Sequence, residues 1–255
     1  MKRMRKVLPW LLILVLLFCG CRKEEMNPEL DSVKRSGTIR VGVLVNRPYA
    51  YEEDGVFQGF DCVLAQSVAH ELGLKAEIVP LTWEQRWLAL NDGSVDCVWG
   101  GITATDDLAE TLGVSQSYLT GTPILVMPQS EEKQKDFTGL CIAAAEGSAC
   151  ALAAEVCLGE ITLVQSSGQE DAMKKVLSGE ADGAVVDLAA ALAVGLGELT
   201  VREDVFLGTL EFKAVFRHNS DLIPAVDKAL TDLQNRGELE KLAQEYGLSG
   251  QLVVG

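Results

Sequence analysis

Two short stretches carry the groups best suited to chemistry. One is 96–107, DCVWGGITATDD, where an apolar run ends in Gly100 and Gly101 and is followed by Thr103 and Thr105. A turn of this kind at a strand end exposes backbone N–H groups and hydroxyls. The other is 184–187, AVVD, an apolar run closing on Asp187. A carboxylate there needs a donor, either from a ligand or from the start of a following helix. The stretches are related. Gly93-Ser-Val-Asp96 precedes the first and Gly179-Glu-Ala-Asp182 the second, and Gly101 and Asp187 each lie five residues beyond that Asp. Equal spacing places both at the carboxyl ends of equivalent strands, where open α/β sheets bind ligands. Two such units facing each other form a cleft with Gly101 on one wall and Asp187 on the other.

Other groups have two readings each. Thr103 and Ser148 suit ligand contact or local capping. Trp99, just before the glycines, suits a pocket floor or a buried core, while Asp96 and Asp182 suit turns. Catalysis has little to work with. His70 and His218 are the only histidines, and there is no GxSxG, phosphate loop or HExxH. No enzyme, metal or cofactor is therefore expected. Apart from Cys19 and Cys21, the cysteines are Cys62, Cys97, Cys141, Cys150 and Cys157, without metal-ligand spacing. They suit small buried apolar positions, with one bridge such as Cys141 to Cys150 left open.

The elements that must position these groups alternate. Strands are expected at 38–45, 75–80 and 95–99, with helices at 60–72 and from 82 to 91 between them. Gly73 and Gly93 stop the helices, and Thr82-Trp-Glu-Gln85 forms a capping box. The plan repeats with strands at 140–145, 161–165 and 184–186 and helices at 148–158 and from a second capping box, Ser167-Gly-Gln-Glu170, to 177. This implies α/β architecture, each half a mostly parallel sheet flanked by helices. Apolar segments 122–127 and 209–216 suit crossings between the halves, and two crossings make a hinge. Helices at 221–235 and around Leu239, Leu242 and Tyr246 close the chain.

The chain of 255 residues has a formal charge of −15, which argues against nucleic acid or an anionic membrane surface as partner. Lys2, Arg3, Arg5 and Lys6 precede twelve apolar residues at 7–18, fewer than the roughly 20 of a spanning helix. Residues 1–20 are expected to be a secretory signal peptide. The Phe18-Cys19-Gly20-Cys21 sequence is similar to a lipoprotein cleavage site, with Phe18 where Leu is usual, so Cys21 is expected to carry the lipid. Residues 21–36 are expected to form a flexible tether to the membrane.

Six segments in order then carry a resemblance: SGTIRVGV, EEDGVFQGFDCVLAQSVAHELG, VPLTWEQRWLALNDGSVDCVWGGITAT, SQSYLTGTPILV, LSGEADGAVVD and DLIPAVDKALTDLQNRGELEKLAQEYG. Together, from about 37 to 248, they resemble extracellular solute-binding proteins of family 3, the polar amino-acid receptors of ABC importers. The resemblance implies a type II periplasmic-binding-protein clamshell. Lobe 1 would hold 37–123 and 213–255, lobe 2 would hold 124–212, and two strands would make the hinge. It implies a monomer exported to the outer face of the membrane, a permease partner, and hinge closure on an amino acid or related amine. In this family a zwitterion's ammonium meets an Asp, and Asp187 stands at that position. Gly101 matches a carbonyl donor and Thr103 a hydroxyl, and Gly147 and Ser148 match a helix-start anion site. Trp83 matches a wall, Tyr49 or Tyr51 another, and Asp61 an acid opening the first helix as a cap with a ligand role open.

Two departures stand out. Leu108 occupies the place of the carboxylate-binding Arg, and no acid lies near Leu44 or Val45. Asp106 and Asp107 add negative charge beside the turn, and Arg47 at the cleft mouth is either a replacement guanidinium or a solvated loop residue. Alternatives are a sensing module with altered or lost ligand, and an enzyme similar to cyclohexadienyl dehydratases. The enzyme also needs the Arg that Leu108 replaces.

Overall fold

The computed structural model describes residues 28–103, 106–131 and 134–253; the leader and Cys21 lie outside them. The chain starts with α1 (Leu30–Ser36), β1 (Thr38–Leu44), the β2–β3 hairpin (Tyr51–Glu53, Val56–Gln58), α2 (Phe60–Glu71) and β4 (Lys75–Leu81). Next come α3 (Arg86–Asn91), β5 (Cys97–Trp99), α4 (Asp106–Thr111), β6 (Gly113–Val114), β7 (Leu119–Gly121) and β8 (Pro123–Pro128). A second unit holds β9 (Cys141–Ala145), α5 (Ala149–Cys157), β10 (Thr162–Ser166), α6 (Gln169–Leu177), β11 (Gly183–Asp187), α7 (Leu188–Val194) and β12 (Leu199–Val201). β13 (Leu210–Phe212) leads back to the first unit, which β14 (Val215–Phe216), α8 (Leu222–Asn235) and α9 (Glu238–Glu245) complete.

Two five-stranded sheets result, ordered β4-β1-β5-β14-β6 and β10-β9-β11-β8-β12. β1 lies parallel to β4 and β5, and β9 lies parallel to β10 and β11. One strand in each sheet is reversed, β14 in the first and β8 in the second, so both sheets are mixed. The reason is the route of the chain. Both strands follow a crossing and enter their sheet from the cleft side, where the other strands end.

The crossings are β7 and β13, paired antiparallel through Leu119–Phe212, Thr120–Glu211 and Gly121–Leu210. This corrects the expectation of a crossing at 122–127. Pro123–Pro128 is buried almost throughout and lies inside the second sheet between β11 and β12. A run covered on both faces has the same composition whether it crosses or stays. The other run, 209–216, divides into β13 and β14.

The internal repeat is real at the level of bonds. Asp96 Oδ2 accepts the Arg40 N–H at 2.7 Å, and Asp182 Oδ2 accepts the Cys141 N–H at 2.8 Å. Each Asp thus pins its strand to the neighbouring parallel strand. The expected tether is corrected at its end. Residues 30–36 form α1, with Val33 buried, and Asp221 Oδ1 accepts the Glu29 and Leu30 N–H groups at 2.7 Å each. The Glu29 carboxylate also accepts from Arg217 and Ser220. Cys62, Cys97, Cys141, Cys150 and Cys157 are all free, so the Cys141–Cys150 bridge left open above is not formed. Among the described residues, no helix is long and apolar enough to cross a membrane.

Candidate ligand-binding cleft

Between the sheets, beside the β7–β13 ladder, lies a cavity of about 320 Å³. Its first wall comes from the carboxyl ends of β1, β4 and β5, at Leu44 to Asn46, Leu81 to Glu84, and the Gly100–Gly101 turn with Thr103. Its second wall comes from the ends of β9 and β10 and the starts of α5 and α6, at Ala145, Ser148 to Cys150, and Ser167 to Gln169. Leu210 and Phe212 of the ladder form its back. The parallel strands of both sheets therefore point at it, as the chain's spacing requires.

Local sequence explains the walls. Gly100 has φ +120°, and a Cβ there would lie 2.8 Å from the Leu44 backbone nitrogen. Gly101 has φ +67°, and its Cβ would lie 3.3 Å from the Tyr49 ring. Only glycine lets the turn pass so close to β1. Ser148 caps α5, its Oγ accepting the Ala151 N–H at 3.1 Å. The first capping box is half made, with Gln85 Oε1 accepting the Thr82 N–H at 3.1 Å. The second uses a different acid: Asp171 Oδ2, not Glu170, accepts from Ser167 N–H and Oγ–H.

Gly101, Thr103, Ser148 and Trp83 line the cavity, and Gly147 sits at its edge. The other predicted site residues do not line it. Tyr49 is fully buried behind the wall, its ring edge-on to Phe212 at 5.1 Å. Tyr51 lies under the Arg47 guanidinium at 3.8 Å, and Arg47 also pairs with Glu53 at 3.7 Å, outside the cavity. Trp99 is buried 5.7 Å from the Tyr118 ring, as core rather than floor. Leu108 packs, half-buried, against the cluster that holds Val98, Ile102 and Val215. An apolar side chain at that place joins the lobe interior.

Asp187 caps α7 instead of facing the cavity, and it is fully buried. Its Oδ1 accepts the Tyr49 hydroxyl at 2.7 Å and the Ala189 and Ala190 N–H groups at 3.1 and 3.2 Å. Its Oδ2 accepts the Thr122 N–H at 3.0 Å. Burial raises its pKa, and the Tyr49 hydroxyl and three N–H groups oppose that rise. Asp61 does not cap its helix. The Pro48 and Tyr49 carbonyls accept the Phe60 and Asp61 N–H groups, and Asp61 Oδ2 accepts the Gly101 N–H at 2.8 Å. Full burial lifts its pKa to about 7, against the pull of the Tyr118 hydroxyl and that N–H.

Three residues were missed by sequence reasoning. Gln169 lines the cavity and accepts the Asp187 N–H through Oε1, a role hidden inside an apparent capping box. Phe212 lines it from a segment taken only as a crossing. Arg86 stacks on Trp83 at 3.7 Å and faces Gly147 across the cleft: a Cβ there would lie 3.8 Å from Arg86 Nη2 and 3.9 Å from Trp83 Nε1. Desolvation lowers the Arg86 pKa to about 10, while Glu84 and Glu146 pull it upward.

The arrangement offers a two-walled site with hydroxyl, amide and N–H groups. Residues 39–249 match the bacterial extracellular solute-binding proteins, family 3. The chain is 28% identical over 185 residues to the membrane-bound lytic murein transglycosylase F of Pseudoalteromonas translucida, covering 69% of this chain and 39% of that protein. It thus spans about two fifths of that relative. It is 28% identical over 250 residues to the probable amino-acid-binding protein YxeM of Bacillus subtilis, covering 92% and 91%. Among solved structures, the amino acid ABC transporter substrate-binding protein AbpA of Streptococcus pneumoniae, bound to L-arginine, superposes with TM-score 0.76. It covers 86% of this chain and 98% of that one at 23% identity. With two α/β lobes, a two-strand hinge and a match along most of its length, the chain belongs to the bacterial extracellular solute-binding proteins of family 3.

Proposed function

We propose that this protein is the extracytoplasmic substrate-binding component of an ABC importer. It captures a small polar solute of amino-acid size between its lobes and closes about the β7–β13 ladder. The observation that carries this reading is the cavity of about 320 Å³ walled by both sheets at once. A solute touching both walls favours the closed form by its differential contacts. The amino-acid-binding relatives support the solute class. Cys21, as a lipid-bearing N-terminus, would hold the protein at the outer face of the membrane beside its permease. The protein acts by binding, without turnover. A thermal-shift panel of amino acids, amines and small organic acids tests the reading; absence of stabilisation by every member, on folded protein, would sink it.

A second reading is a sensing module of the same shape. The unusual pocket chemistry favours it, since Leu108 and the capped Asp187 leave the usual charged partners out of the cavity. Ligand binding without solute uptake by cells expressing the chain and its permease would favour the sensor.

A further inference from the structure

We propose that the cleft selects carboxylates that lack a free ammonium group, such as deaminated or N-acylated counterparts of amino acids. This rests on the solute-binding reading above. The ammonium seat is closed by the protein itself. Asp187 holds four donors on its two oxygens, and one of them, the Tyr49 hydroxyl, comes from the opposite lobe. The Tyr49 ring packs behind Gly101 and edge-on to Phe212, and its hydroxyl reaches Asp187. Among the described residues lining the cavity, no other acid takes that place. Glu84 is the one charged side chain lining the cavity among the described residues, and it is exposed, with its carboxylate engaged by the Thr82 hydroxyl. Gln169 Oε1 is taken by the Asp187 N–H, which leaves the amide –NH2 as its free end.

The surplus in the cavity is of donors. The N–H groups of Ala149, Cys150 and Gln169 have no acceptor among the described residues. They sit at the starts of two nine-residue helices, whose dipoles place partial positive charge toward the cavity. The Trp83 indole N–H and the Arg86 Nε–H are buried without partners, and both residues approach Gly147 at the α5 start. A carboxylate entering this site gains acceptor-to-donor bonds from two helix starts and an indole. An ammonium entering it meets the positive ends of two helices and, among the described lining residues, no free carboxylate, so its desolvation is uncompensated. The guanidinium absent at Leu108 is not needed at its usual place, because donors remain on both walls, the Trp83 indole on the first and the helix starts of α5 and α6 on the second.

The test is isothermal titration of the purified protein with matched pairs: L-phenylalanine against phenylpyruvate and N-acetyl-L-phenylalanine, and L-leucine against 4-methyl-2-oxopentanoate. The amine-free member of at least one pair should bind about tenfold or more tighter than its amino acid, the discrimination expected when a buried polar group has no partner. Amino acids binding as tightly as their amine-free partners would overturn this inference and leave the solute-binding reading standing. Absence of binding by every member of both pairs would overturn the inference, and a failed broad panel would then take the solute-binding reading with it.

Discussion

At the scale of single residues, the Tyr49–Asp187 pair joins two positions 138 apart in sequence by a 2.7 Å hydrogen bond. Tyr49→Phe removes the hydroxyl and leaves a buried carboxylate short of a donor. Hydrogen bonds to charged groups are worth about 1.5–3 kcal/mol, so a loss in that range is expected in urea unfolding. Asp61 makes a prediction of the opposite kind. Its folded-state pKa of about 7 lies above the ordinary 3.8. Below the ordinary value, Asp61 is protonated in both states and carries no penalty. As pH rises toward about 7, the unfolded chain ionises first and stability falls. Asp61→Asn keeps an acceptor for the Gly101 N–H and cannot ionise. Denaturation from pH 4 to 8 should therefore show the variant gaining on the parent by up to about 1.4 kcal/mol per pH unit, then levelling off. A difference flat with pH would refute the buried-acid reading. The cap on α7 was one of the two readings open for Asp187 in sequence, but its Tyr49 and Thr122 donors and the Asp61 bond to Gly101 were not legible. Asp187 as strand end and Asp61 as helix opener were visible, but their partners come from distant loops that only the folded chain brings near.

At the scale of elements, the sequence was legible wherever period and stop signals agreed. Asp96 and Asp182 betrayed the repeat because each does one job in an identical local frame, bonding the first residues of a parallel neighbour. The ladder between lobes was misplaced because β7 is three residues long and carries no pattern, while β8 beside it is a strong apolar run. The ladder now has a sensitive point. A Cβ on Gly121 would lie 2.6 Å from Asp187 Oδ2 and 2.7 Å from Phe212 Cζ. Asp187 is held by four donors and cannot yield cheaply. Gly121→Ala should cost about 1–3 kcal/mol, as overpacking does, and should lower the melting temperature without loss of secondary structure by circular dichroism. An unchanged melting temperature would mean the ladder shifts freely at this point.

At the scale of the whole molecule, the lobes are joined by two short strands and by the Tyr49–Asp187 bond beside them. Phe212 of the ladder lines the back of the cavity and Tyr49 packs edge-on against it, so both ties lie together there and opening at the front need not break either. A ligand bridging the walls then has one mechanical consequence, which is closure. Ligand bound only by the closed form stabilises it by RT ln(1 + [L]/Kd), about 2.7 kcal/mol at a hundredfold excess over Kd. Whichever probe binds in the paired titrations should therefore raise the melting temperature and also reduce the radius of gyration in small-angle scattering. The two readouts separate the possibilities. Stabilisation with compaction places the solute between the lobes. Stabilisation without compaction would confine it to one lobe, and the donors of α5 and α6 would then act without Trp83 and Gly101 opposite them.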